Sequence, residues 1–288
     1  AYNEWLAEEY CAYNPHRLLG MGVIPDTGVD DAIAEMSYCA KAGLKGVNLH
    51  RFPSGQGYVT IDDDKFWSAA LDLDICVTSH TNGGTTRLGP KNGGVFQYPK
   101  VLVKAGGGER DPVSLLFRFA GEQPMAPLQM AMAGVFDRFP KLKIYWAESQ
   151  CGWLPYSFDQ IDDNYERNRY WGERDFGFKG PARRPSEYLK SQCLWGFMRD
   201  GWGVKCRHEI GVDILLWGSD FAHATGDWPN SRRLLDETFA GVAAAERKKM
   251  VLDNALKYFH LDASADLDRF GQAMQGMSLD KFDARLSG

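Results

Sequence analysis

Six short apolar runs, set apart by segments with helical spacing or by long connections, constrain this chain more than any other feature. They are Arg17–Pro25, Leu44–Leu49, Asp74–Ser79, Lys143–Ala147, Leu194–Met198 and Ile214–Gly218. Inside them apolar residues are continuous rather than alternating, as in strands of a parallel sheet covered on both faces. Between them, Asp30–Ala42 places Ala32, Ile33, Met36, Cys39 and Ala40 on one helical face and stops at Gly43, a residue that tolerates the backbone turn closing a helix. The chain opens directly on helical spacing over Tyr2–Ala12. Phe66–Leu73, Tyr156–Tyr170, Arg232–Ala240 and Ala243–Tyr258 also read as helices. Val113–Arg138 does too, with breaks expected near Pro124 and Pro127. Such alternation defines an α/β fold. A TIM-type (β/α)8 barrel and a doubly wound open sheet share this local pattern, and periodicity alone does not choose between them.

Length and charge narrow the partners. At roughly 150 residues per domain, 288 residues allow two domains, yet α/β barrels run past 200 as one. Lys and Arg number 33 against 38 Asp and Glu, and no basic block stands out, so the footprint of a nucleic-acid binder is missing. No apolar run is long enough to span a bilayer, and no charged-then-apolar leader opens the chain. The six cysteines are scattered with no C-x-x-C pair. They read as reduced, mostly buried thiols of a cytoplasmic protein, not as a zinc cage. Nine tryptophans suit an aromatic-lined pocket for a small molecule.

Chemistry is concentrated where the apolar runs end. Leu44–Leu49 is followed by His50 and Arg51, Asp74–Ser79 by His80, Lys143–Ala147 by Glu148, and Ile214–Gly218 by Ser219 and Asp220, with His223 three residues on. In a barrel the C-terminal ends of the strands converge on one mouth, where active sites are built. Imidazole and carboxylate delivered there can hold a divalent cation that acidifies water or polarises a carbonyl. Singly, each residue has an ordinary reading: a loop-bonding histidine, a Glu paired with an Arg, an Asp capping the next helix. Together they require four independent accidents. His50 and Arg51 fit a substrate carboxylate or a surface loop equally well. His16, His208 and His260 lie away from strand ends and read as structural. Arg167, Arg169, Arg183 and Arg184 read as a solvated helix face plus loop, with a carboxylate anchor as the sharper alternative. The glycine-rich stretch Thr81–Pro112 is long enough to be a lid. No P-loop or G-x-S-x-G elbow is present.

The run ILLWGSDFAHATGDWPNS (Ile214–Ser231) resembles the last barrel strand of the "amidohydrolase 2" group, which contains aminocarboxymuconate-semialdehyde and resorcylate-type decarboxylases and related hydrolases. DNALKYFHL (Asp253–Leu261), AESQCGWLP (Ala147–Pro155), RRPSEYL (Arg183–Leu189) and LKGVNLH (Leu44–His50) are similar in style. The resemblance implies a TIM-type barrel over residues 1–265, with Asp266–Gly288 as an appendage. It implies a divalent metal, zinc first, with manganese and iron open. His80 and Asp220 match the metal ligands, and Asp220 also matches the proton-transfer group. Where the group usually offers a histidine, this chain has Glu148. The group's first-strand H-x-H or E-x-H pair has no counterpart, so the chain reads as a barrel without its first strand.

The leading expectation is a hydrolase of a small organic acid, amide, lactone or dicarbonyl compound. In it His80 and Asp220 hold the metal, Asp220 takes a proton from water, and Glu148 positions water or substrate. His50, Arg51 and His223 are the substrate-binding candidates. A non-oxidative decarboxylase of an aromatic or conjugated acid is the close alternative, and a non-catalytic barrel with a degraded metal site the third. Dimers are frequent in the group, which implies a homodimer or higher homo-oligomer.

Overall fold

The computed structural model describes residues 1–56, 58–80, 103–105, 108–110, 125–223 and 226–261. Six strands form one sheet: β1 (Met21–Val23), β2 (Gly46–Leu49), β3 (Cys76–His80), β6 (Ile144–Ala147), β7 (Cys193–Phe197) and β8 (Leu215–Trp217). Every pairing in it is parallel. A separate antiparallel pair joins β4 (Val103–Ala105) to β5 (Gly108–Arg110). That pair is all of the Thr81–Pro112 stretch that falls among the described residues, so the lid lies outside them. The appendage Asp266–Gly288 does as well.

Strand order settles what periodicity left open. The sheet runs β1-β2-β3-β6-β7-β8, each strand beside its predecessor in the chain. A doubly wound sheet reverses order at a switch point. This one never does, and advances in one direction as barrel strands do. Its edges, β1 and β8, are not paired with each other among the described residues. At the β1 edge the Asn3 amide takes the place of a neighbouring strand. It donates to Val23 O and accepts from Val23 N, both at 2.8 Å, which satisfies edge groups otherwise open to pairing.

Residues two apart on a strand share a face, and the two faces differ here. Val47, Leu49, Val77, Ile144, Trp146, Trp195, Phe197 and Leu215 pack into the main core with the helices, among them Val29–Lys41, Asp64–Asp72, Leu154–Phe176 and Pro185–Ser191. The opposite face presents Cys76, Leu194 and Leu216, packed with Tyr145 against Ala255, Tyr258 and Phe259 near the chain's described end. His80 shares the parity of Cys76, so it belongs to the face away from the main helical layer, the inner face of a barrel.

Several boundaries move for physical reasons. The break expected near Pro124 lies outside the described residues; the helix Met125–Met132 runs unbroken past Pro127, and the break falls instead at Gly134, whose φ is +71°, before the helix Val135–Arg138. Pro127 sits in the first turn, where its missing N–H forfeits no helical bond. The helix expected over Tyr156–Tyr170 extends to Leu154–Phe176, opened by Pro155 and closed by left-handed Gly177. Among the described residues no helix is long and apolar enough to cross a membrane.

Buried Asn254 donates to Val212 O and Leu215 O, both at 2.8 Å, and so ties the last helix to β8. Asn254→Ala should cost about 1–3 kcal/mol in urea unfolding, because it leaves two buried carbonyls short of a donor.

Burial pushes the thiols of Cys76 and Cys193 up to about 12 and that of Cys39 to about 11. In the unfolded chain thiols ionise near 8.5. Above that pH the unfolded state therefore binds fewer protons than the folded one, and stability falls as pH rises. The urea midpoint should be lower at pH 10 than at pH 7.5. Cys206 is the one cysteine not fully buried. An aromatic disulfide reagent at pH 8 should titrate one fast thiol in the native protein.

Candidate active site

Four of the expected residues converge at the C-terminal ends of β3, β6 and β8. Ligand atoms of Glu148, Asp220 and His223 all lie within 4.8 Å of one another. His80, the last residue of β3, joins them through its Nε2, which contacts Glu148 Oε2. His223 Nδ1 lies 2.8 Å from Asp220 Oδ2. The Glu148 side chain is 8% exposed and that of Asp220 20%, so both carboxylates are largely withdrawn from solvent.

Both carboxylate residues leave their strands on left-handed backbone, with φ of +56° at Glu148 and +53° at Asp220. For residues other than glycine this conformation is uncommon and persists only where surroundings enforce it. After β6 the enforcement comes from β7. Ser149 Oγ donates to Gly196 O at 3.2 Å, and Met198 N donates to Gln150 Oε1 at 3.2 Å. Asp200 Oδ2 accepts from Cys151 N and Gly152 N, both at 2.7 Å, and its Oδ1 caps the helix Gly201–Lys205 through Gly203 N at 2.8 Å. A Cβ at Gly196 would meet the Tyr145 hydroxyl at 2.5 Å and Glu148 N at 3.0 Å, so glycine is what lets β7 pass this close. After β8, Asp220 O accepts from His223 N and Ser219 O from Asp227 N, each at 2.9 Å. Gly226 packs so tightly that a Cβ there would lie 2.6 Å from Asp220 O.

Tyr145, three residues before Glu148 in the chain, lies on the inner face of β6 with Cys76, Leu194 and Leu216. Burial, reinforced by the negative charge of Glu148, pushes its phenol up to about 12, so it stays neutral throughout the ordinary pH range.

The other expected residues are placed differently. His50 lies 3.3 Å from its neighbour Asn48, and Arg51 pairs with Asp26 at 3.5 Å. No hydrogen bond or ion pair among the described residues links either to the four. His208 pairs with Glu246 at 2.6 Å. His260 lines a cavity with Asp74, Leu194 and Tyr258 at the N-terminal ends of the strands, opposite the cluster. Arg167 and Arg169 pair with Asp163 and Glu166 on their own helix, and Arg184 with Glu166, as a solvated face would.

Three polar residues at this mouth were not among the candidates: Arg199, Asp200 and Asp227. Arg199 and Asp200 follow the β7 run as Glu148 follows β6, so the strand-end signal that marks Glu148 marks them too. Buried Asp227, bonded to Arg199, is visible only once the loop after β8 is folded.

Residues 1–261 match the family described as Amidohydrolase, and the chain belongs to it. It is 25% identical over 227 residues to decarboxylase orsB of Emericella nidulans, covering 77% of this chain and 63% of that protein. Its fold matches the amidohydrolase map2389c of Mycobacterium avium subsp. paratuberculosis with a TM-score of 0.69 at 19% identity, over 92% of this chain and 63% of that one. It also matches a dihydroxybenzoic acid decarboxylase of Polaromonas sp., solved with bound manganese and 2-nitroresorcinol, with a TM-score of 0.64 at 20% identity, over 93% of this chain and 76% of that one. The chain thus spans less than two thirds of the length of the first two.

Asp200→Ala would strand three backbone N–H groups and release the turn that forces Glu148 into its left-handed conformation. It should cost about 3 kcal/mol or more in chemical denaturation, whereas Asp200→Asn, which keeps one carbonyl acceptor, should cost less.

Proposed function

We propose that this chain carries the metal-dependent site of a non-oxidative decarboxylase acting on an aromatic or conjugated carboxylic acid. The observation that carries this reading is the cluster of Glu148, Asp220 and His223, with His80 joined to Glu148, at the end of the sheet where barrel enzymes keep their chemistry. The relatives named above as decarboxylases support the reaction class.

The donor set fits a divalent cation. Two carboxylates and an imidazole converge, a mixture suited to manganese, zinc or iron, and manganese is the ion bound in the Polaromonas relative. Asp220 and Glu148 would hold it, with His80 either ligating directly or fixing Glu148, which leaves His223, bonded to Asp220, to handle the proton. A cation there supplies Lewis-acid polarisation of a carboxylate and a neighbouring oxygen on the substrate.

The protein's own groups handle the proton. The bond from ring carbon to carboxylate breaks, its electron pair stays on carbon, and a proton replaces the departing carbon dioxide. The Asp220–His223 hydrogen bond forms a donor pair at the mouth that can deliver that proton and recover another from solvent. The His80–Glu148 pair holds a second exchangeable proton behind it. Neutral Tyr145 adds an uncharged floor.

Hydrolysis is the second reading, and Glu148 favours it. A nearly buried carboxylate, standing where the group usually has a histidine, is a fit base for a water molecule.

Elemental mass spectrometry on the full-length protein should find about one equivalent of manganese, zinc or iron, reduced at least tenfold in Asp220→Asn. Incubation with 2,6-dihydroxybenzoate and related acids should release carbon dioxide without incorporating labelled oxygen from water. Labelled oxygen in the product would favour the hydrolase, and no bound metal after reconstitution would overturn both in favour of a non-catalytic barrel.

A further inference from the structure

The thiols of Cys151 and Cys206 take no part in the cluster at the mouth, yet the fold brings them together beside the turn that carries Glu148. Cys151 is fully buried in that turn, and its N–H and that of Gly152 both donate to Asp200 Oδ2 at 2.7 Å. Asp200 also caps the helix Gly201–Lys205 through Gly203 N, so turn and helix are pinned to each other at the start of the helix. The Cys151 side chain lies against the same helix. A Cβ at Gly203 would stand 2.2 Å from Cys151 Sγ and 2.9 Å from Gly152 N, so only glycine leaves room for the sulfur there.

Cys206 lies three residues after Gly203. Its N–H continues the helical ladder by donating to Trp202 O at 3.0 Å. Residues three apart share a helix face, and a helical side chain covers the turn N-terminal to its own Cα. The Cys206 sulfur is thereby directed back over Gly203, onto the spot where the Cys151 sulfur sits. Two further observations agree. Cys206 packs against the core cluster that contains Cys151. Burial, then the neighbouring Asp200, then the charge of a Cys206 thiolate push the Cys151 thiol well above its ordinary range, so the two sulfurs are near enough to act on each other. The pair is also asymmetric, because Cys206 is the one cysteine not fully buried.

We propose that Cys151 and Cys206 are a redox-active pair that hydrogen peroxide closes into a disulfide, bracing the turn of Glu148 against the helix Gly201–Lys205. Cys206 meets the oxidant first. Its sulfur attacks one peroxide oxygen, the O–O bond breaks, and the thiol becomes a sulfenic acid as one water leaves. The Cys151 sulfur then attacks the Cys206 sulfur and displaces hydroxide, which departs as a second water with the Cys151 proton. Two thiols lose two electrons, and one peroxide is reduced to two waters. Asp200 already holds the turn to the start of the helix, and the disulfide holds it to the end. The backbone behind Glu148 gains a second anchor, whichever reaction the cluster performs.

The test treats the metal-loaded full-length protein with a small excess of hydrogen peroxide. Intact-mass spectrometry should show a loss of about 2 Da, reversed by dithiothreitol. Digestion at low pH should yield one cross-linked pair of peptides, joining Cys151 to Cys206, and the fast thiol should vanish from the titration with the aromatic disulfide reagent. Amide hydrogen exchange at Cys151 and Gly152 should become about tenfold slower in the oxidised form. Cys206→Ser, a change at a partly exposed position, should abolish both the cross-link and the slowing. A parent that gains oxygen on Cys206 without a cross-link would overturn the inference, as would a cross-link that forms only in urea or persists in Cys206→Ser. A native cross-link that leaves amide exchange unchanged would overturn the bracing role.

Discussion

Two carboxylates brought close together in a partly dry site are the constraint on which the rest of this structure turns. Oxygens of Glu148 and Asp220 lie within 4.8 Å. At an effective dielectric constant of about 20, two unit charges at that distance repel by about 3.5 kcal/mol. The fold meets that repulsion in two ways. It places an imidazole on each carboxylate, His80 on Glu148 and His223 on Asp220. It also spends hydrogen bonds on the turns, so neither residue can relax away from its left-handed backbone. A divalent cation answers the same electrostatic problem more completely than either imidazole, and this makes the arrangement read as a site rather than as a frustrated surface.

The restraint is unevenly distributed, and the unevenness follows topology. Glu148 is held from the neighbouring strand: β7 contributes Gly196 O, Met198 N and the Asp200 carboxylate to the turn after β6. Asp220 is held mainly by its own loop, through the backbone bonds of His223, Gly226 and Asp227. Parallel strands explain the first case, because the residue after one strand always lies beside the residue after the next. The second case reflects position, since β8 is an edge of the sheet among the described residues and has no following strand to brace it. Arg199 supplies the missing brace from β7 by gripping Asp227.

Much of this was legible in the sequence, and what was not has a common cause. Continuous apolar runs marked all six strands of the main sheet, and polar residues after three of them marked His80, Glu148 and Asp220. His223 was within reach because it lies one turn along the same loop. The choice between barrel and doubly wound sheet was not legible, since it depends on strand order, which no local pattern encodes. Asp227 was hidden for a similar reason: it looks like an ordinary loop aspartate and acquires its role only when a guanidinium from elsewhere arrives. Pro127 shows the limit of a residue rule: proline breaks a helix in its interior but not in its first turn, and the sequence does not fix which of these it occupies.

The same electrostatics bear on the reaction. A carboxylate that acts as base toward water must sit close to the reacting centre and out of bulk solvent, and Glu148 is 8% exposed and clustered with Asp220. That is the physical case for hydrolysis. In decarboxylation the proton travels the other way, toward a carbanionic carbon, and the better donor is one already near solvent and able to reload. Among the four clustered residues His223 fits that requirement best, with a half-exposed ring on Asp220, while Glu148 stays behind with His80. The two reactions thus draw on opposite sides of one cluster, the dry pair from β3 and β6 or the wetter pair from β8.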